Sequence, residues 1–553
     1  MNGVGVGLGV ALGPVARIAD PLPAPPADPS TRPVEEEQAR VRAAVGAVAR
    51  DLEARGQAAG GTVAEVLEAQ AMMAEDPDLE ESVDARLAQG LTAERAVYEA
   101  FAEFRTHLVA AGGYLGERAA DLDDVAQRVI AHLLGVPAPG LPDPGQPHVL
   151  VARDLAPADT ALLDLDQVLA LVTSEGGPTS HTAILAREKG LVAVVGAAGA
   201  TNLVDGEMVV VDAEAGTVIT APDVATIAAA QARIRERAQA ADAPPTPGAL
   251  ADGTPVPLLA NLGSADGAAE AVRLGAEGVG LFRTEFLFLS ADEAPSVEVQ
   301  RGEYRRLLAA FPGRKVVVRV LDAGADKPLP FLNDTPEENP ALGVRGLRVL
   351  RAREQVLRDQ LTALAAAAAE TDADVWVMAP MVATVEETRY FTALAHEHGL
   401  KTAGVMVEVP SSALLADHVL RTADFASIGT NDLTQYTLAA DRLLGAVAGL
   451  QDPWHPAVLR LVGEVGAAGA AHGKPVGICG EAAADPLLAV VLIGLGATTL
   501  SMSPSALADV RVSLRRYTLA QARAAATAAL AAQDGAAARA AARASLTAAP
   551  VAP

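Results

Sequence analysis

Apolar residues recur along this chain with two different periods, and the changes of period divide it. Residues 3–17 are rich in Gly and Val, which predicts one or two short strands. Prolines from Pro21 to Pro33 end that run. From about Val34 the spacing turns helical. Val41, Val45, Val48 and Leu52 share one face, and Val97, Phe101, Phe104 and Leu108 repeat it. Gly60–Gly61 and Pro77 cut the stretch into several helices, which close near Leu134 ahead of the proline-rich residues 137–147. An antiparallel helical bundle is the expectation, with His107, His132 and His148 solvated in or beside it.

From Val149 the period shortens to that of strands. The apolar runs Leu169–Val172 and Leu191–Val195 flank a glycine turn and the short amphipathic stretch Ala183–Lys189. Met208–Val211, the turn Asp212–Gly216 and Thr217–Ile219 read as a hairpin. Residues 3–17 have too little apolar surface for a core of their own. We therefore expect residues 1–20 and 142–222 to form one β/α domain, with the helical segment 21–141 inserted in it. Residues 223–250 form a helical linker, whose prolines allow the two halves to move. Strands then alternate with helices: Val256–Ala260, Gly278–Phe282, Val316–Val320, Val375–Met378, Gly404–Val407, Phe425–Ile428 and Pro475–Ile478, with an eighth expected near Gly343. That is the (β/α)8 TIM-barrel pattern, assigned to residues 251–553 and ending in an alanine-rich helical tail. The fold class is multidomain α/β.

Composition narrows the function. The 553 residues carry a net charge of −26, which argues against nucleic acid or an anionic membrane as main partner and favours a basic protein. Aromatics make up 3%, so Ala and Val fill much of the core. One cysteine excludes an intrachain disulfide framework. No 18-residue apolar span and no signal peptide stand out, so a cytoplasmic location without membrane insertion is expected.

The candidate chemistry sits after the barrel strands. Arg283 and Glu285, Arg319 and Asp322, Arg345, Glu408, Asn431 and Asp432, and Cys479 each follow a strand end or, for Arg345, the Gly343 region. Such ends carry catalysis in this fold. Three arginines offer planar forks for phosphate and carboxylate. Glu408 and Asp432 are hard oxygen ligands suited to Mg²⁺. Asn431 can donate to a substrate oxygen, and Cys479 is a candidate proton donor. These features describe a small anionic substrate with phosphate and carboxylate groups, and phosphoryl transfer needs a nucleophile that the barrel lacks. His181, in Gly176–Gly177–Pro178–Thr179–Ser180–His181–Thr182, fills that role. It stands at the mouth of an expected helix, where imidazole is kept neutral and an attached phosphoryl group is stabilised. Thr179, Ser180 and Thr182 can donate hydrogen bonds to that group.

The runs 176–184, 280–288, 337–343, Glu408–Val409–Pro410, Ser427–Tyr436 and Cys479–Gly480 together resemble enzyme I of the phosphoenolpyruvate-dependent sugar phosphotransferase system. The resemblance implies a swivelling phosphohistidine domain and a homodimer formed through the barrel. It implies phosphoryl transfer from phosphoenolpyruvate to His181 (through Nε2) and on to the carrier protein HPr, which docks on the inserted helices near Glu65, Glu68, Glu75 and Asp76. It further implies phosphate contacts from Arg283, Arg319 and Arg345, and Mg²⁺ on Glu408 and Asp432. Substrate contacts from Asn431 and Arg442, and protonation of the enolate by Cys479 to give pyruvate, complete the set. Pro178 departs from the pattern and removes a polar or basic contact at the turn. Phosphoenolpyruvate synthases and pyruvate, phosphate dikinases resemble the chain too, but they need an ATP-grasp domain for which 21–140 is too short and too helical. A non-catalytic scaffold would have degraded barrel residues, and these are intact.

Overall fold

The computed structural model describes residues 1–7, 9–18, 22–59, 61–111, 119–136, 141–142, 144–155, 163, 167–177, 180, 182–183, 186, 190–242, 245–289, 293–324, 329, 331–332, 337–442 and 444–548. The chain forms two compact units, Met1–Ile234 and Arg235–Pro553, whose boundary falls within the helix Val224–Asp242.

The first unit holds a seven-stranded sheet of β1 (Val4–Val6), β2 (Val10–Arg17), β3 (His148–Ala152), β4 (Val168–Thr173), β5 (Val192–Val195), β6 (Met208–Asp212) and β7 (Thr217–Thr220). Their order across the sheet is β1-β5-β4-β3-β2-β6-β7. The two N-terminal strands are therefore part of this sheet: β2 pairs parallel with β3, Val15 opposite Val149, and antiparallel with β6. Both faces are apolar, as a sheet covered on two sides requires. One face packs Val149, Val151, Ala170, Val172 and Val194, and the other Leu150, Leu171, Ala183, Ala186 and Val195. His148, expected in solvent, is buried instead, because it opens the central strand β3 and its Nδ1 contacts Gln146 O at 3.0 Å.

Between β2 and β3 lie five described helices: α1 (Val34–Ala59), α2 (Gly61–Ala74), α3 (Pro77–Ala88), α4 (Ala93–Ala111) and α5 (Ala119–Leu134). Val41, Val48, Leu52, Val97 and Phe101 enter one apolar cluster drawn from these helices alone, with Val45, Phe104 and Leu108 packed against it. Pro77 starts α3 at the position where its missing N–H costs nothing, and Asp76 caps that helix by accepting from Asp78 N and Leu79 N. Asp76 is thus committed to capping, whereas Glu68 and Glu75 are exposed; the Glu65 side chain lies outside the described ones.

In the second unit, eight parallel strands close a barrel among the described residues. They are β8 (Leu258–Leu262), β9 (Val279–Arg283), β10 (Lys315–Arg319), β11 (Asp374–Ala379), β12 (Thr402–Val407), β13 (Ala426–Ile428), β14 (Val476–Ile478) and β15 (Thr499–Met502). Seven expected strands match. The eighth is β15, not a strand near Gly343. Gly343 follows the short 3₁₀ turn Pro340–Leu342, and Glu337 Oε1 and Oε2 both accept from Val344 N at 3.1 Å, which fixes this stretch as a loop. The mixed polarity and four-residue length of β15 hide it from a hydrophobic pattern. Its Ser501 turns inward and donates to Ala260 O on β8 at 3.2 Å, closing the ring. Among the described residues no helix is long and apolar enough to cross a membrane.

Candidate active site

The C-terminal ends of the barrel strands bring Arg283, Arg319, Arg345, Glu408, Asn431, Asp432, Arg442 and Cys479 into one mouth. Thr284 ties the first two ends together, its Oγ1 donating to Arg319 O at 3.0 Å. Arg319 is buried and donates from Nη2 to Glu285 Oε1 at 2.7 Å, while its Nη1 lies 3.2 Å from Asp322 Oδ2. Glu285 Oε1 also accepts from Asp322 N at 3.0 Å, which holds the start of the long loop after β10. That loop returns as Arg345, 1% exposed. Its Nε and Nη2 grip the two oxygens of Asp322 at 3.1 and 3.0 Å, and its Nη1 donates to Asp432 Oδ1 at 2.9 Å. The far oxygen of Asp432 faces Arg442 Nη1 at 3.4 Å, and Gln435 Oε1 holds Arg442 N at 3.0 Å.

This is an alternating chain of fixed charges. Burial lowers the guanidinium pKa of Arg319 and Arg345, but Glu285 and Asp322 for the one, and Asp322 and Asp432 for the other, outweigh it and raise both. Arg345, expected as an open fork for phosphate, has all three nitrogens engaged. An incoming anion meets a guanidinium already oriented by carboxylates. Arg319 Nε is buried with no partner among the described residues. Arg283 stands apart: the residue retains exposed surface, yet burial of its charged end, followed by the Arg319 charge, lowers its pKa. A guanidinium keeps its charge across the physiological range, and Arg283 is the least buried residue of the three.

Glu408 follows β12 and is 1% exposed. Its Oε1 accepts from Met381 N at 2.6 Å. Met381 sits at φ 58°, a left-handed conformation unusual for a side chain of its size, and this turns its N–H toward the carboxylate. Burial, then the charges of Asp432 and Asp322, push the Glu408 pKa up to about 8. Two buried carboxylates on neighbouring strand ends repel each other, and a hard divalent cation relieves that repulsion. The donor set therefore fits Mg²⁺.

Cys479 follows β14 and is buried. Its N–H and its thiol both point at Ile428 O, at 3.0 and 3.5 Å, and Asn261 Nδ2 donates to its carbonyl at 3.0 Å. Burial pushes the thiol up to about 11, so it keeps its proton at neutral pH. Gly480 must be glycine, since a Cβ there would lie 1.9 Å from Thr430 Oγ1. Asn431 and Glu481 pair reciprocally: Asn431 Nδ2 donates to Glu481 Oε1 at 3.2 Å, and Glu481 N donates to Asn431 Oδ1 at 3.0 Å. That pairing fixes the Asn431 amide.

Three family models match the chain in succession: "PEP-utilising enzyme, N-terminal" over residues 2–118, "PEP-utilising enzyme, mobile domain" over 144–216, and "PEP-utilising enzyme, PEP-binding domain" over 237–519. The phosphoenolpyruvate-protein phosphotransferase of Streptomyces coelicolor is 55% identical over 535 residues, 96% of each chain. The chain belongs to the phosphoenolpyruvate-protein phosphotransferase family. The family member from Geobacillus stearothermophilus is 38% identical over 540 residues, 93% of each chain. A solution structure of an Enzyme I protein covers 43% of this chain and 98% of its own at 34% identity, with a TM-score of 0.38. Every barrel residue described above lies within the stretch that matches the PEP-binding domain of PEP-utilising enzymes.

The glycine turn lies in the other unit, within the stretch matched by the mobile domain. His181, Thr179 and Pro178 fall outside the described residues. The residues around them show how the turn is built. Gly176 has φ 88°, which only glycine adopts at little cost. Ser180 N donates to Gly177 O at 2.9 Å, and Ser180 Oγ accepts from Ala183 N at 3.3 Å, as a helix cap does. Thr182, expected to donate to a phosphoryl group, is fully buried and donates instead to Asp154 Oδ1 at 3.1 Å. Asp154 thus anchors the turn, and sequence reading passed over it. Its signal is a lone carboxylate just beyond the apolar strand β3. Met381 was missed for a plainer reason: it acts through its backbone N–H, which no side-chain pattern reveals, and Glu481 makes half of its pairing with Asn431 the same way.

Proposed function

We propose that this family member takes the phosphoryl group of phosphoenolpyruvate onto His181 and passes it to a histidine of the carrier protein HPr, releasing pyruvate. This is the first step of sugar uptake by the phosphotransferase system. The observation that carries the proposal is the barrel mouth: buried arginines fixed by carboxylates, beside two acidic oxygen ligands and a protonated thiol. The proposal also assigns residues 1–20 and 142–222 to a swivelling histidine domain, 21–141 to HPr docking, 223–250 to the linker, and 251–553 to the barrel and its homodimer contacts. The location is cytoplasmic.

Arg283, Arg319 and Arg345 bind the phosphate, and Asn431 and Arg442 orient the rest of the substrate. The P–O bond to the enol oxygen breaks as a bond from phosphorus to the His181 imidazole forms, and pyruvate leaves as its enolate. Cys479 then gives its thiol proton to the methylene carbon. Thr179 and Ser180 border the histidine, while Thr182 steadies the turn through Asp154. Glu408 and Asp432 would hold Mg²⁺, which would supply positive charge to offset that of an anionic substrate. Arg319 and Arg345 enter the reaction already oriented, so little reorganisation is needed as charge develops.

The test is incubation with ³²P-labelled phosphoenolpyruvate and Mg²⁺. Labelling of the parent protein, its loss in His181→Ala and transfer of label to added HPr are expected. Label retained in His181→Ala refutes the nucleophile, and labelling from ATP alone points to dikinase chemistry.

A further inference from the structure

The loop carrying Cys479 is held at both ends, and the far end is held by the chain's C-terminal helix. At the near end Cys479 is fixed by Ile428 and Asn261, and Glu481 by Asn431. At the far end stands Asp485. Its Oδ1 caps the helix Pro486–Gly494, accepting from Leu487 N at 2.9 Å and Leu488 N at 3.0 Å. An N-cap needs no more than that oxygen. The other, Oδ2, accepts from Trp454 Nε1 at 3.1 Å and lies 3.7 Å from Arg539 Nη2.

Both partners come from distant segments. Trp454 is 4% exposed and belongs to the turn before the helix Pro456–His472, where His455 Nδ1 accepts from Ala457 N as the helix cap. Arg539 belongs to the C-terminal helix Gly535–Ala548, its guanidinium carbon 6.0 Å from the Trp454 ring centroid. The helix also approaches this turn at its first residue: a Cβ on Gly535 would lie 1.8 Å from Asp452 Oδ2, so a larger residue would have to displace that carboxylate. Asp452 Oδ1 in turn accepts from Trp454 N at 2.9 Å. The C-terminal helix, the Trp454 turn and the end of the Cys479 loop thus meet on one carboxylate.

We infer that Arg539, Trp454 and Asp485 are positioning residues for Cys479, so that the C-terminal helix sets the aim of the proton donor. The inference rests on the reading of Cys479 given under the proposed function. Asp485 joins the other two to the end of the Cys479 loop and caps the helix that follows it. Protonation at carbon needs the thiol held in line with the reacting atom, and a displacement of ~1 Å costs on the order of a hundredfold in rate. Such a brace acts on the proton-transfer step and leaves the arginines that bind substrate untouched.

The chain has a single cysteine, so its reactivity can be read without ambiguity. The experiment compares the full-length parent with Arg539→Ala, Arg539→Lys and Trp454→Phe. It measures single-turnover formation of pyruvate from phosphoenolpyruvate with Mg²⁺, and the rate at which the thiol reacts with dithiodipyridine. In Arg539→Ala we expect pyruvate formation about tenfold slower, half-saturation by phosphoenolpyruvate within about twofold of the parent, and thiol reaction about fivefold faster, with partial recovery in Arg539→Lys. Unchanged thiol reactivity in folded Arg539→Ala overturns the brace. So does a loss confined to half-saturation. If Arg539→Ala does not fold, Trp454→Phe, which keeps the ring and removes only the Nε1 donor, decides by the same two rates. Cys479→Ser separates the two readings: if it forms pyruvate as fast as the parent, the proton-donor role fails, and the thiol rates still decide the brace.

Discussion

The two ends of the barrel both enclose cations, in opposite ways. At the mouth, Arg319 and Arg345 are buried among Glu285, Asp322 and Asp432, and their guanidinium pKa values rise. At the foot, Lys315 opens β10 with its ammonium 3.6 Å from the Trp376 ring centroid and 5.6 Å from that of Phe425. Burial lowers its pKa to about 8 against the opposing charge of Asp374. Charges held by charges are permanent and oriented; a charge held by rings and burial is conditional. An anion needs the first kind, and the foot serves the stability of the barrel.

Removing a mouth arginine breaks the comparison most severely. Arg319→Ala should slow phosphorylation from phosphoenolpyruvate by on the order of a thousandfold in a single-turnover assay, since an oriented donor to developing charge is lost. A loss below tenfold would mean that Arg319 is structural. Asp322→Ala removes the shared counter-charge of both buried arginines. It should cost about 3–5 kcal/mol in urea unfolding, and a cost near zero would show the pairs to be incidental.

Titration sharpens the contrast, because the two ends respond with opposite signs. The Cys479 thiol at the mouth is raised from 9.0 to about 11. Below pH 9 both states keep the proton and stability is full. Between 9 and 11 the unfolded chain ionises first, and up to about 3 kcal/mol is lost relative to Cys479→Ser. For Lys315, lowered from 10.5 to about 8, the unfolded chain holds the extra proton. Stability relative to Lys315→Met should therefore rise between pH 8 and 10.5. Absence of that slope would mean the ring faces hold the charge against burial. The smallest effect is on activity: Lys315→Met should phosphorylate at the parent rate, with stability changed by only about 1 kcal/mol.

What the chain revealed in advance depended on where the information resides. Periodicity exposed α1 through Val41, Val48 and Leu52, and strong apolar runs exposed seven barrel strands, because burial selects side chains at regular spacing. β15 stayed hidden because Thr499 and Ser501 interrupt its apolar residues, and its place is fixed by pairing with β8 and β14. The candidate site residues were legible because charged groups just after strands stand out. Their mutual arrangement was not. That Arg345 would be gripped by Asp322, and Thr182 committed to Asp154, are facts of tertiary geometry. The Met381 N–H reaches Glu408 through a backbone angle, and no residue type announces it.

The strands β2 and β3 are parallel neighbours, so the chain must cross over the sheet between them. A crossover commonly takes a dozen or more residues. Here it spans residues 18–147 and carries five described helices with an apolar core of their own. In evolutionary terms the bundle is a cartridge. The pairing of Val15 with Val149 asks only that some connection return the chain, so the helices can diversify, or be exchanged, while the sheet beneath keeps its register. The helical insert and the scaffold that holds the histidine turn can thus evolve at different speeds within one gene.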